Sequence, residues 1–297
     1  MEHSDALQNA RAAVLRRVAK TKIVCSHLEH VFEAMKISKH TALADLDLEK
    51  LRIKLSSLDL EGNSHGDNSA FFRALSKSEL PEIEWEEVEF SEWTEGYSDE
   101  PRRIDNTLQS LSNQLWGAWL RYNKKQPWIQ RKCYKEVPSI GTGEYTPDVP
   151  YEWQTHGDVE ATSLAIPHCS FRVIHYADPG EPLRRSEVLP IVAYMRWRMI
   201  QFDYIEHYIF PVLVVSIFRS KVRLLQAYHD GEHLRISKSK FYDLTENISG
   251  IYELLIQWIH GIPCGDTEAP LHIKGEDLDD STIKRIENIL KEIFQLA

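Results

Sequence analysis

The sequence predicts an α/β fold: a mixed central sheet flanked by helices, with an N-terminal helical region. Three observations predict it. Pro211 to Phe218 is a continuous apolar run of strand length, the pattern of a strand buried on both faces. On either side of it, Ser170 to Tyr176 and Lys221 to Tyr228 read as strands, and Asp230-Gly231 supplies a tight hairpin into His233 to Ser237. Between the first two strands, Val188, Ile191, Val192, Met195, Met199, Phe202 and Ile205 recur at helical spacing.

In chain order, residues 5–20 read as a helix, with Leu7, Ala10, Val14 and Val18 three and four apart. A second helix is expected from Ser26, where Ser26-His27-Leu28-Glu29 fits a capping box and Leu28, Phe32 and Met35 form a stripe. Leu46 to Leu60 reads as a third helix, followed by a polar loop from Gly62 to Ser69. Glu82 to Glu95 is acidic and interleaved with Trp85, Phe90 and Trp93, as a strand or as an arm packed by its aromatics. Leu108, Leu111, Leu115 and Trp119 mark a helix to Tyr122, which leads into the basic aromatic piece Tyr122 to Trp128. Val137 to Pro167 is punctuated by glycine and proline and reads as loop or short strands. Pro190 is expected in the first turn of its helix, where a missing N–H is tolerated. A helix capped by Asn247 runs through Trp258, and a last one starts at Ser281 with Ile283, Ile286, Leu290 and Ile293 inward. The organisation is therefore 1–60 helical, 61–136 loop, acidic arm and helix, and 137–297 α/β core, in one compact domain.

Composition bounds the function. With 42% hydrophobic and 27% charged residues the chain has the profile of a globular domain. Its longest apolar run is too short to span a membrane, so no membrane partner is expected. Met-Glu-His-Ser-Asp does not begin a secretory signal, and the four cysteines show no C-x-x-C, which points to free thiols and a cytoplasmic location. The net charge of −10 is uneven: residues 41–100 carry 5 basic and 16 acidic side chains, whereas residues 161–240 carry 11 basic and 7 acidic. The acidity argues against a general nucleic-acid coat protein. It leaves room for a local basic surface from Arg184, Arg185, Arg196, Arg198, Arg219, Lys221, Arg223, Arg235, Lys238 and Lys240, with Trp197 between two of the arginines. The same residues also fit a solvated surface.

The chemistry concentrates in Thr155 to Ser163. In an extended segment Asp158 and Glu160 share one side, beside His156 and Gly157. Paired carboxylates can hold a divalent cation, grip a guanidinium, or exchange a proton. Gly157-Asp158 can equally be a turn. Thr162 and Ser163 adjoin the pair as candidate substrate contacts, and Asp148 precedes it. Ser163, Cys169 and Ser216 are the nucleophiles to consider if a covalent intermediate forms. No histidine and cysteine spacing suggests zinc, and no metal or cofactor is expected.

Two resemblances follow from these residues. Pro147-Asp148 with Glu160-Ala161-Thr162, the following helix and the strand Pro211 to Ser216 resemble the PD-(D/E)XK nuclease pattern, which implies Mg²⁺ held by an Asp and a Glu. Thr162 stands where that family has lysine, so a fold relative is implied more than an active nuclease. The segments Phe210 to Ser216, Leu224 to Gly231 and Ser237 to Tyr242, within residues 140–262, look like a set of fungal proteins. By resemblance that set includes the arginine-containing cyclodipeptide synthases. That likeness implies aminoacyl-tRNA as partner, arginyl-tRNA among the substrates, and a cyclic dipeptide as product. Asp158 and Glu160 would then clamp the substrate guanidinium, with His156 or a carboxylate as base. A third reading is a non-catalytic interaction protein that uses the acidic aromatic arm at 82–97.

Overall fold

The computed structural model describes residues 2–61, 71–80, 100–121, 128–130, 152–161, 163, 165–246 and 248–296. The helices are α1 (Glu2–Ile37), α2 (Asp45–Lys50), α3 (Glu100–Arg121), α4 (Arg185–Met199), α5 (Ile248–Ile259) and α6 (Asp280–Leu296). The strands are β1 (Ile53–Ser57), β2 (Phe72–Arg73), β3 (Trp128–Gln130), β4 (Trp153–Ala161), β5 (Cys169–His175), β6 (Val212–Phe218), β7 (Lys221–His229), β8 (Leu234–Lys238), β9 (Tyr242–Asp243) and β10 (Ile262–Pro263). The main sheet runs β1-β8-β7-β6-β5-β4-β3, with β9 paired to β7, and β2 pairs with β10 apart from it. The sheet is mixed: β5 and β6 are parallel, joined through α4, β1 and β8 are parallel, and the other pairs are antiparallel.

Two apolar layers sandwich the sheet. On one face Cys169, Phe171, Val173, Val212, Val214, Leu225 and Ala227 pack on Leu28, Val31 and Phe32 of α1 and Val188, Ile191 and Val192 of α4. On the other, Val159, Leu213, Val215, Ile217, Val222 and Leu224 pack on Leu108, Leu111 and Leu115 of α3 and Leu255 and Ile256 of α5. Every side chain of β5 and β6 is buried, as the continuous apolar run requires.

At the centre a polar network ties the crossover helix to three strands. Glu187 of α4 accepts from Arg223 Nε at 2.8 Å, from a second Arg223 nitrogen, and from Ser216 Oγ at 2.7 Å. Ser216 also bonds His175 Nε2 at 2.8 Å, and His175 Nδ1 bonds Ser186 Oγ at 3.0 Å. Arg223 Nη1 donates to Glu181 O at 3.1 Å and Nη2 to Pro182 O at 3.2 Å, which pins the loop before α4. Burial pushes the Glu187 carboxyl up, and the Arg223 charge more than reverses that, so it stays ionised.

The N-terminal third departs from the sequence reading. Residues 2–37 form one helix rather than two, because no glycine or proline interrupts them. The Thr21 hydroxyl is absorbed by the helix itself, donating to Arg17 O at 3.0 Å. Leu46 to Leu60 is a short helix and then a strand, not a third helix. The chain turns at Arg52, with φ 47°, and Ile53 to Ser57 pairs with Leu234 to Lys238. Residues 1–60 therefore contribute an edge strand to the α/β sheet. Pro190 falls in the second turn of α4 rather than the first, and Trp153 to Ala161 is a nine-residue strand where loop or short strand is expected. The acidic arm at 82–97 and most of 61–99 lie outside the described residues. No helix among the described residues is long and apolar enough to cross a membrane.

Candidate functional site

The geometry of the site starts from one irregularity in β4. Thr155 pairs with Val173 and His156 with Arg172, and then Val159 pairs with Ser170 and Glu160 with Cys169. One extra residue on β4 lies between these pairs, a β-bulge at Gly157-Asp158 where Gly157 takes φ +59°. Paired residues of an antiparallel ladder point to the same face. His156 therefore shares the face of Arg172, whereas Glu160 shares that of Cys169 and Phe171. In a regular strand residues 156 and 160 would lie on one face. The bulge separates them, so His156 and Glu160 of the expected cluster lie on opposite faces of the sheet. Asp158 sits on the bulge, and its side chain lies outside the described residues, as do Asp148 and Thr162. Ser163 is exposed beyond the strand end.

On the α3 face, His156 enters a polar seam. Helix α3 carries Arg102, Asp105, Gln109 and Ser112 at spacings of three and four, beside the apolar stripe Ile104, Leu108, Leu111 and Leu115. Asp105 is the hub. His156 Nδ1 lies 3.1 Å from Asp105 Oδ2, Arg172 Nε donates to Asp105 Oδ1 at 2.5 Å, and Arg172 Nη2 donates to Gln109 Oε1 at 2.6 Å. One turn along, His260 Nε2 bonds Ser112 Oγ at 3.0 Å; toward the helix start, Arg102 Nε donates to Tyr176 Oη at 3.1 Å. Burial pushes the Asp105 carboxyl up, but the hydrogen bond with His156 and the charge of Arg172 outweigh it and hold the group ionised. Burial, helped by the Arg172 charge, lowers His260 to about 3, so it is a neutral structural ring.

The side chain of His156 is 38% exposed and that of Asp105 only 5%, so the imidazole is the member of the pair that meets solvent. An ionised carboxylate at Nδ1 favours the proton on that nitrogen, and in the neutral ring the lone pair is then on Nε2. That is the arrangement of a general base held in orientation by an acid.

On the opposite face Glu160 is already occupied. Arg198 Nη1 of α4 lies 2.7 Å from Glu160 Oε2 and donates to Tyr204 Oη at 2.7 Å. Its guanidinium carbon sits 4.7 Å from the Tyr204 ring centre and 5.1 Å from that of Trp197. The carboxylate expected to clamp an incoming guanidinium holds one belonging to the chain, in a buried pair.

The basic set is likewise not a bare surface. Arg185, Arg198 and Arg223 are buried and paired with Glu152, Glu160 and Glu187, so they cannot face a nucleic acid. Arg196 pairs with Glu29, Arg219 with Asp178, Lys221 with Asp243, Arg235 with Asp230, Lys238 with Glu181 and Lys240 with Glu61; Arg184 donates to Asp178 O. Of the nucleophiles considered, Ser216 and Cys169 are buried, Ser216 inside the central network. Among the described residues no group of three or more His, Cys, Asp or Glu side chains is placed to hold a metal ion.

No family model, curated protein or solved structure matches this chain.

Sequence reasoning missed Asp105 and Arg172. Both had a signal. Asp105 belongs to a polar stripe that repeats beside the apolar one, and Arg172 is a cation inside the otherwise apolar strand Phe171 to Ile174.

Proposed function

We propose that this protein is an aminoacyl-transfer enzyme that builds an arginine-containing cyclic dipeptide from aminoacyl-tRNAs. The observation that carries the transfer chemistry is the half-exposed His156 ring hydrogen-bonded at Nδ1 to buried Asp105. The α-amine of one aminoacyl ester attacks the carbonyl of the other. The amide C–N bond forms, the ester C–O bond breaks, and the tRNA 3′ oxygen leaves. A second attack, on the remaining ester, closes the ring. His156 Nε2 takes the proton that the amine sheds and returns it to the leaving oxygen. The two ester bonds supply the driving force, so the scheme calls for no cofactor. The arginine and tRNA parts of the proposal rest on the resemblance over residues 140–262. The guanidinium clamp is no longer assigned to Glu160, which Arg198 engages.

The test is to incubate the protein with charged tRNAs that include arginyl-tRNA and to look by mass spectrometry for an arginine-containing cyclic dipeptide. His156→Ala is expected to lower kcat/KM by about 10²- to 10⁴-fold. No product with any partner tRNA removes the proposal.

A second reading is a PD-(D/E)XK-like protein that binds or cuts nucleic acid. It is favoured by the parallel β5 and β6 joined through α4, the part of the fold on which that resemblance rests. Mg²⁺-dependent cleavage of DNA or RNA that Glu160→Ala abolishes without unfolding the protein supports it over the first.

A further inference from the structure

We infer that Arg172 is a positioning residue which, through Asp105, decides which ring nitrogen of His156 carries the proton. The inference deepens the reading of His156 as the base and rests on that reading for its activity measurement only.

Arg172 stands in β5 between neighbours that are wholly buried, Phe171 and Val173. A guanidinium does not escape such a place by losing its proton, so its partners must hold it. Asp105 takes Nε and Gln109 takes Nη2. The rest of the group lies over the bulge. A Cβ added to Gly157 would fall 2.3 Å from Arg172 Cζ and 2.4 Å from each Nη. The glycine whose positive φ creates the bulge thus also leaves the room that the guanidinium fills.

Asp105 has two oxygens, and Arg172 engages Oδ1 while Oδ2 faces His156 Nδ1. Arg172 therefore does two things for the imidazole. It anchors the carboxylate with Oδ2 toward Nδ1, and its charge keeps that carboxylate ionised despite burial. Without the charge, Asp105 either turns away or binds a proton. A protonated Asp105 donates to Nδ1 instead of accepting from it. In both cases the imidazole proton moves to Nε2, and the lone pair needed for base catalysis is lost there.

The test is ¹⁵N NMR of the imidazole nitrogens in the full chain at neutral pH, which reports the tautomer without any substrate. Wild-type His156 is expected in the Nδ1–H form. In Arg172→Gln the balance is expected to shift several-fold or more toward Nε2–H, with kcat/KM for cyclic dipeptide lower by about 10²-fold and carried by kcat. Should Arg172→Gln not fold, Arg172→Met and Gly157→Ala decide by the same signal, since the first removes the charge with its hydrogen bonds and the second displaces the guanidinium. An Nε2–H wild type, or a folded variant that keeps Nδ1–H, overturns the inference. If the tautomer shifts as expected but wild-type protein makes no cyclic dipeptide, the reaction is wrong and the role of Arg172 stands.

Discussion

Acid should unfold this protein through its histidines before its carboxylates titrate. Five rings, His27, His168, His175, His229 and His260, are buried and hydrogen-bonded as neutral groups. Burial lowers His27 and His168 to about 4 and His175, His229 and His260 to about 3. The unfolded chain protonates each near 6.5. In the window below 6.5 and above 4 the unfolded state therefore binds protons that the native state refuses. Stability is full above pH 6.5 and falls as the pH drops. The bonding explains the refusal. His229 Nδ1 accepts from Gly231 N at 3.0 Å, so its proton sits on Nε2 and is given to His27 Nδ1 at 2.7 Å, while His27 Nε2 donates to Leu51 O at 3.0 Å. A further proton on either ring would set two N–H groups against each other or against a backbone donor. At pH 5 each ring costs on the order of 1–2 kcal/mol, so the five together remove a sizeable part of a domain's usual stability of about 5–15 kcal/mol. Urea unfolding followed by tryptophan fluorescence at steps between pH 7.5 and 5 measures this. The expected slope between pH 6 and 5 corresponds to about five protons taken up on unfolding. A slope of fewer than about two protons would refute the reasoning.

Two buried ion pairs give further tests. Glu187→Gln leaves the Arg223 charge without its counter-ion at the centre of the sheet, and the expected loss is about 3–5 kcal/mol in denaturant unfolding; a loss under about 1 kcal/mol would show that the network is not a structural tie. Glu160→Gln strands Arg198 in the same way and should also lose about 3–5 kcal/mol, in the absence as in the presence of Mg²⁺. A stable Glu160→Gln protein whose only change is lost Mg²⁺ binding would restore Glu160 to the role of metal ligand.

How far the fold was legible follows from local chemistry. From β5 to β8 the elements came through because buried strands write continuous apolar runs and Asp230-Gly231 writes a turn, Gly231 taking φ 105°. β1 did not, because one face of an exposed edge strand buries only Ile53, leaving no alternation to read. β4 was obscured by its own bulge, since Gly157 looks like a turn residue and shifts the apolar phase by one. The site was half legible. His156 could be chosen by residue type and neighbourhood, but its partners Asp105 and Arg172 join it only when α3 and β5 pack together. Glu160 parts from His156 because the bulge between them inverts the face that an even spacing predicts. The basic set was overread because a sequence shows charges without their partners, and Arg185, Arg198 and Arg223 spend theirs inside.

The parallel pairing of β1 with β8 has a consequence for how the chain comes to be. Ser56 and Ser237, whose hydroxyls meet at 2.8 Å, are 181 residues apart. A strand near the start of the chain must wait for one near the end, so this contact is late during synthesis and slow by topology. Until β1 arrives, β8 presents an open row of backbone donors and acceptors, the kind of edge that recruits another chain. The N-terminal segment thus acts as the molecule's own guard against self-association, and a fragment that starts after residue 60 should aggregate before it could be assayed.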